Sequence, residues 1–551
     1  MPNIQLFYIF ITSLFCSLVL IPPISRLAIS IGIFDGNDDR KVHSGSIPRL
    51  GGIAIFFAVL LSVILFSDID RQMRGFLAGA VVIFLTGLTD DLVQIPPKKK
   101  FLGEVVAAFI VTLVGDLHLT SLGDLSGRGA IELGALSIPF TVFAIVGVIN
   151  AINLVDGLDG LAGGVTAIAA SAIGLLAYLG GNDNLTGVCL ALLGGVLGFL
   201  KFNSYPARIF MGDGGSLFLG YCLAFFSIDL AEHCHGGCSV LVPLIILAVP
   251  VFDTLFVMGK RLANGKGLFS PDRTHIHHRF MDLGLGHRAT VILVYGLSYF
   301  LAVYAVLARG LSDQLQLVNL VLLLALFVVF NRVLALLLTG RDGEFLREDA
   351  SLLNVFAFRR MAHYSKHLLL LVRCLTLAVL GLTLFTFPDH PSVELATVAG
   401  LLIFLTALLY IQVADWSNRF LQIVVFFNGA FLIFVAENSG TAFEIAGVPF
   451  KVLSAVLFAG LFACSAVLLL LRNKSKILLE SPLEYFILFI AVTIPLLPSS
   501  FTGPIHLLSV SGKSMVLFLG IKMVPFSMGR GRSIVLAALM MLTTVALRSL
   551  F

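Results

Sequence analysis

Long apolar runs, interrupted at short intervals by polar connections, follow one another from Ile4 almost to the last residue. Many reach the ~20 residues that an α-helix needs to cross the hydrocarbon core of a bilayer, and by that length rule the chain holds about 18 candidate spans. In hydrocarbon every backbone polar group must be paired within the structure, so runs this long and uniformly apolar predict helices, not barrel strands. The chain therefore reads as an all-α polytopic membrane protein. The first run, Ile4 to Ile29, is too long for a signal-peptide core and has neither a preceding basic region nor a clear cleavage site. It is predicted to remain as the first helix. Leu119 to Pro139 breaks the pattern: Gly123, Gly127, Gly129 and Gly134 predict a small hairpin outside the membrane.

Composition supports the same class. Of 551 residues 58% are hydrophobic and 12% charged, with a mean hydropathy of +1.01. A soluble domain carries about twice that share of charge, so lipid must be the solvent for most of this surface. The net charge of +4 gives no reason to expect a nucleic-acid partner. Most of the seven cysteines sit inside apolar runs, where they act as small hydrophobes. In His233-Cys234-His235-Gly236-Gly237-Cys238, chance or a Cys234–Cys238 bridge is expected over a zinc knuckle.

Charge placement is more informative than net charge. Of the 36 lysines and arginines, 26 lie on one alternating set of connections and 7 on the other. The rich set includes Arg40, Lys41 and Arg49, the run Lys98-Lys99-Lys100, and the stretch from Lys260 to Arg288. By the positive-inside rule that set is cytoplasmic and the N-terminus lies outside. Residues 1–310 are expected to form one membrane domain of ten or eleven helices, whose cytoplasmic connections are dense in Asp, His, Asn and Arg. Residues 311–551 are expected to add about seven helices. Their one long polar connection, Thr339 to His367 with Arg341-Asp342-Gly343-Glu344, could form a partner surface, lean on the active site or belong to a simple anchor.

Five aspartates gather at the cytoplasmic ends of spans, and ionisable groups at such positions are functional by default. Asp90-Asp91 closes the third span, where two carboxylates meet the negative end of a helix and call for a cation. A solvated end compensated by Lys98-Lys99-Lys100 is the structural alternative. Asn150, Asn153 and Asp156 recur every three residues on one helical face; interhelical hydrogen bonds could explain the two amides but not the acid. Asp159 could serve only as an N-cap of the next span. Phe210-Met211-Gly212-Asp213-Gly214-Gly215 opens the eighth span, where glycines allow close approach of a phosphate and a helix N-terminus favours anions. His275, His277, His278 and Arg279 can bind phosphates or a transition metal, and a merely solvated basic loop does not need so much histidine. Carboxylates on one side and Arg/His on the other suit Mg2+-bridged pyrophosphate chemistry.

Taken together, Arg40-Lys41-Val42-His43, Ile47 to Gly52 with Arg49, Asp90-Asp91, Asn150 to Gly164, Phe202 to Gly220 and His275 to Arg279 resemble the polyprenyl-phosphate N-acetylhexosamine-1-phosphate transferases, glycosyltransferase family 4. The resemblance covers about residues 1–300. It implies transfer of a sugar phosphate from a UDP-N-acetylhexosamine to undecaprenyl phosphate with release of UMP, Mg2+ as cofactor (Mn2+ as alternative), and a bacterial inner-membrane location; a homodimer is compatible with it. It further implies that Asp90, Asp91, Asp156, Asp159 and Asp213 are catalytic, with Asp213, Asp156 and Asp91 on the metal. Lys41, His43, Arg49, Asn150, Asn153, Asn203, His275, His277, His278 and Arg279 would bind substrate. The Asp272-to-Arg279 form resembles the branch using UDP-GlcNAc more than the one using UDP-MurNAc-pentapeptide. A transporter, or a bifunctional protein through the C-terminal half, is the rival reading; charges at the rim instead of the midplane favour the enzyme.

Overall fold

In a computed structural model the apolar runs among the described residues are helices. The structure describes residues 2–34, 47–233, 238–263, 275–282 and 285–339, then 365–383, 397, 399–404, 406–407, 418–438, 444–445, 448–471, 507–523, 538–540 and 542–544. Two compact units divide the chain: Met1–Arg347 with Ser481–Leu483, and Glu348–Glu480 with Glu484–Phe551.

The first unit runs α1 (Pro2–Ser30), α2 (Gly51–Phe66), α3 (Arg71–Val93), α4 (Pro97–Leu113), α5 (Ser137–Val155), α6 (Leu161–Leu179) and α7 (Asp183–Asn203). It continues with α8 (Gly212–His233), α9 (Val242–Ile246), α10 (Ala248–Ala263), α11 (Ile276–Asp282), α12 (His287–Leu307) and α13 (Asp313–Thr339). Among the described residues eight helices are long and apolar enough to cross a membrane: α1, α3, α5, α6, α7, α8, α12 and α13. The count of about 18 also drew on shorter helices such as α2 and on segments outside the described residues.

Helix α8 is the axis of this unit. It is apolar on every side, which marks a helix enclosed by others, and α2, α3, α5, α6, α7 and α9 all pack on it. Aromatic contacts fix it against α3: Phe76 packs on Phe225 with ring centroids 4.6 Å apart, and Tyr221 Oη donates to Phe76 O at 2.9 Å. Phe56 of α2 stacks on Phe84 of α3 at 4.0 Å and meets Phe218 of α8 edge-on at 5.3 Å.

At one end of the bundle the start of α2, the end of α3, the start of α4, the end of α5 and the start of α8 converge. The strand-like stretch before α2 lies along the α7–α8 loop: Phe210 N donates to Pro48 O (2.8 Å), Gly51 N to Phe210 O (2.9 Å) and Gly52 N to Met211 O (2.8 Å). The expected hairpin between α4 and α5 is present. Leu122 N donates to Ile131 O and Ile131 N to Gly123 O, both at 3.0 Å, and Ser121 pairs with Glu132. It sits at the far end of α8, where Glu232 accepts from Thr120 N at 2.6 Å.

In the second unit helices Ser365–Thr383, Asn418–Asn438, Phe450–Leu471 and Leu507–Met523 pack together, and Glu444–Ile445 pairs with Val448–Pro449. A polar knot ties three of them: Lys513 Nζ reaches Glu437 at 2.5 Å and Ser454 Oγ at 2.8 Å, and Ser509 Oγ donates to Glu437 at 2.6 Å. The Arg341–Glu344 segment lies outside the described residues.

Candidate active site

Asp213 stands at the first turn of α8 between two cations. Lys100 Nζ, from the first turn of α4, lies 3.0 Å from its Oδ1, and Arg49 Nη2 lies 3.7 Å from its Oδ2. The same lysine reaches Asp90 Oδ2 at 3.2 Å, so two carboxylates share one ammonium. Asp90 Oδ1 also accepts from Ile95 N at 2.9 Å as the chain leaves α3. The compensation expected from the lysine run is therefore delivered by Lys100.

Asp91 does something that spacing did not indicate. Its side chain is 1% exposed, and its two oxygens accept from Asp213 N at 2.8 Å and Gly214 N at 2.9 Å, with Arg49 Nη2 3.3 Å away. The carboxylate thus occupies the positive end of α8. Two amides of this glycine-rich opening, which was expected to face a phosphate, are taken by a carboxylate of the protein. Gly212 makes this possible. Its φ is +72°, and a Cβ there would stand 2.4 Å from Asp91 Oδ2.

The two amides of α5 are both engaged between helices. Asn150 Nδ2 donates to Glu104 of α4 at 2.5 Å, and Asn153 Oδ1 accepts from Ser216 Oγ of α8 at 2.8 Å. Asp156 follows as the C-cap of α5 and is half-buried. Desolvation, reinforced by Asp213, pushes its carboxyl up to about 7, while Arg49 pulls the other way.

Asp159 does not cap α6, whose N-cap is Gly160. It crosses to the α7–α8 loop, where its Oδ2 accepts from Ala207 N at 2.9 Å. Asn203 answers from α7, accepting from Gly160 N at 2.9 Å and donating to Ile209 O at 2.9 Å. Asn203→Ala leaves two buried backbone groups without these partners, at a cost of about 2–4 kcal/mol. Thermal unfolding in detergent should show a clear drop; an unchanged midpoint would mean the clamp contributes nothing.

The histidine segment forms α11 and leans on the same turn. His275 Nδ1 is 2.9 Å from Asp253 Oδ2 of α10. His277 is 2% exposed and lies so close to Gly157 that a Cβ there would fall 2.3 Å from its Nε2. Burial, with His278, His275 and His287 adding to it, pulls the His277 imidazole down to about 3, so it is neutral at ordinary pH. His278 packs on His277 with centroids 4.3 Å apart, and the Arg279 guanidinium lies over Phe256 at 5.3 Å. Lys41 and His43 lie outside the described residues, as do Asp272 to Thr274 and Cys234.

These residues fit a hard divalent cation. Asp213 offers oxygen donors that already face two cations, and Asp156 lies near enough to feel the Asp213 charge. Among the described residues no three His, Cys, Asp or Glu side chains gather to hold an ion alone. Mg2+ does not need that, since it commonly takes one or two carboxylates and completes its shell with water and substrate phosphate. Asp91, also expected as a ligand, gives one lone pair of each oxygen to an α8 amide. Sequence reasoning missed Glu104, Ser216 and Asp253. Buried acids in apolar helices were the available signal for Glu104 and Asp253.

Apolar helices around a charged site at one end of the bundle define a polytopic integral-membrane protein. The profile of glycosyl transferase family 4 matches residues 73–231, from the first turn of α3 to the last of α8. A Bacillus subtilis protein named as a probable undecaprenyl-phosphate N-acetylglucosaminyl 1-phosphate transferase is 38% identical over 335 residues, 60% of this chain and 92% of that protein. The undecaprenyl-phosphate alpha-N-acetylglucosaminyl 1-phosphate transferases of Salmonella typhi and Escherichia coli K12 are 32% and 31% identical over 310 residues, 56% of this chain and 84% of theirs. This chain belongs to glycosyl transferase family 4.

Proposed function

We propose that this protein transfers GlcNAc-1-phosphate from UDP-GlcNAc to undecaprenyl phosphate, releasing UMP, from the cytoplasmic face of a bacterial inner membrane. The observation that carries this reading is the convergence of Asp90 and Asp213 on Lys100, with Arg49 beside them, at the opening of α8. The names of the similar proteins support undecaprenyl phosphate as the acceptor and GlcNAc-1-phosphate as the group transferred. The excess of Lys and Arg on one set of connections supports about 18 spans, an N-terminus outside and a cytoplasmic site.

In the reaction an oxygen of the lipid phosphate attacks the sugar-bearing phosphorus of the donor. The bond from that phosphorus to the bridging oxygen breaks, and UMP leaves with the electron pair. A phosphate monoester is already ionised near neutral pH, so no side chain needs to remove a proton. The work is positioning and charge neutralisation. Asp213 and Asp156 would hold Mg2+, which when bound neutralises phosphate oxygens. Lys100 bridges Asp90 and Asp213, offsetting their mutual repulsion, and stands ready to meet the anionic lipid head. Arg49, His278 and Arg279 face the donor phosphates. Asp91 keeps α8 in register with α3, and Asp159 with Asn203 locks the turn that carries Asp156.

Asp156 gives a pH prediction. With its carboxyl near 7, protons compete with the cation, so metal occupancy and rate fall as pH drops through neutrality. A tenfold rise in Mg2+ should move the acid limb down by up to about one pH unit, since one proton is displaced per ion bound. Initial rates against pH at two Mg2+ concentrations test this; a limb that does not move would remove Asp156 from the metal.

The reaction itself is tested with purified protein in detergent, Mg2+, undecaprenyl phosphate and either UDP-GlcNAc or UDP-MurNAc-pentapeptide. Lipid-dependent UMP from UDP-GlcNAc is expected. UMP from the pentapeptide donor alone would move the protein to the peptidoglycan branch, and none from either would sink the reading.

A further inference from the structure

Asp253 lies outside the cluster that handles phosphate and cation, yet it is among the most enclosed acids of the first unit, 3% exposed on α10. An isolated carboxylate at such a place is costly unless it is hydrogen-bonded. Both of its oxygens are used. Oδ2 meets His275 Nδ1 at 2.9 Å, and Oδ1 accepts from Ile276 N at 2.8 Å. His275 is itself 4% exposed.

Each bond has a consequence. An ionised carboxylate only accepts, so the proton between the two side chains sits on Nδ1, and Nε2 is the nitrogen directed elsewhere. The Ile276 amide is the first of α11, a helix of seven residues, too short to hold its shape unaided. Asp253 therefore anchors both the first imidazole and the helix that carries the others.

The anchoring is passed along a row of rings. His275 and His277 lie nearly parallel, 8° apart with centroids at 6.0 Å, and His277 in turn packs on His278. At its far side His277 rests on Gly157, next to Asp156. His277 Nδ1 is buried with no partner among the described residues, so the ring is held by packing and by what stands behind it.

We propose that Asp253 is a positioning residue. Its carboxylate fixes the tautomer of His275 and the start of α11, and so sets His277 against the turn that carries Asp156 and places His278 and Arg279, which follow it. This rests on the reaction proposed above, because His278 and Arg279 are taken to face the donor phosphates.

Asp253→Asn is the decisive variant. Its amide oxygen can still accept from Ile276 N, but its NH2 would confront the Nδ1 proton, and His275 must move that proton to Nε2. Displacement of contact groups by about 1 Å can cost about a hundredfold in rate. The expected result is a fall of that order in kcat/KM for the nucleotide sugar, with the KM for the lipid acceptor and the unfolding midpoint unchanged. Since Asp253 acts through His275, Asp253→Asn/His275→Gln should be no slower than His275→Gln alone. Multiplying effects, or wild-type kinetics in Asp253→Asn, would overturn the proposal.

A second measurement does not depend on the reaction. In protein with isotope-labelled imidazole nitrogens, the His275 resonances, assigned by their loss in His275→Gln, should show a protonated Nδ1 in wild type. They should show the other tautomer in Asp253→Asn. If that variant does not fold, Asp253→Glu keeps the acceptor and should keep the wild-type tautomer; a wild-type protein with Nδ1 unprotonated contradicts the proposal outright. Inactive wild type with the expected tautomer would sink the reaction and leave the Asp253–His275 arrangement standing.

Discussion

Asp213→Asn is expected to lower lipid-dependent UMP formation by about a thousandfold or more, the scale on which catalytic charge stabilisation is lost. The substitution keeps the shape of the side chain and removes its charge. Lys100 then turns wholly to Asp90, and Arg49 to Asp91, so the two cations no longer frame an open carboxylate. The fold should survive, because the Asp213 and Gly214 amides still hold the start of α8 on Asp91 when the Asp213 charge is gone. Assay of UMP at matched protein, alongside an unfolding curve, checks both statements. Retention of more than a tenth of the activity would take Asp213 out of the chemistry.

The second large effect is expected at Gly212. Alanine there meets two obstacles: a left-handed backbone at φ +72°, which costs an L-residue about 1–2 kcal/mol, and a Cβ 2.4 Å from Asp91 Oδ2. The carboxylate must leave the α8 amides, and Asp213 moves with the helix start. Activity should fall by about a hundredfold or more, and the unfolding midpoint with it. Gly129→Ala is the control. That glycine also has positive φ, +111°, but its Cβ would meet nothing within 4 Å. It carries the backbone strain without the collision, and its activity should stay at wild type. Equal losses in both variants would mean that strain, not Asp91, is responsible.

Several elements were legible because their signal is local. The apolar runs gave the helices, and Gly123 to Gly134 gave the hairpin between α4 and α5. Phe210 to Gly215 marked the opening of α8. The Lys98–Lys100 run was correctly placed as compensation for Asp90, although only Lys100 makes the contact. What could not be read depends on groups far apart in the chain. Asp91 meets amides 122 and 123 residues away, so its role at α8 was hidden behind the expectation that two acids at a helix C-terminus need an ion. Asp159 could be read only as a local cap, because its partner on Ala207 is 48 residues distant. Glu104 and Asp253 are single acids in apolar helices, with no spacing to any partner that a periodicity could reveal. Helix α2, at 16 residues, and the break between α9 and α10 show why span counting by length is coarse.

These differences share one cause. The site is a meeting of helix ends, so its polar atoms are satisfied across elements, and sequence spacing reports only what lies within one element. The acidic residues stood out because the bilayer makes them expensive. Which of them hold the scaffold depended on tertiary contacts.

The central claim is tested most directly by following the sugar-bearing phosphorus. Purified protein is given Mg2+, undecaprenyl phosphate and UDP-GlcNAc radiolabelled at that phosphorus alone, and the products are partitioned between organic and aqueous phases. The account predicts label in the lipid, unlabelled UMP in equal amount, and loss of both in Asp213→Asn. Label recovered in a water-soluble product, or no lipid-linked label from folded wild-type protein, would contradict it.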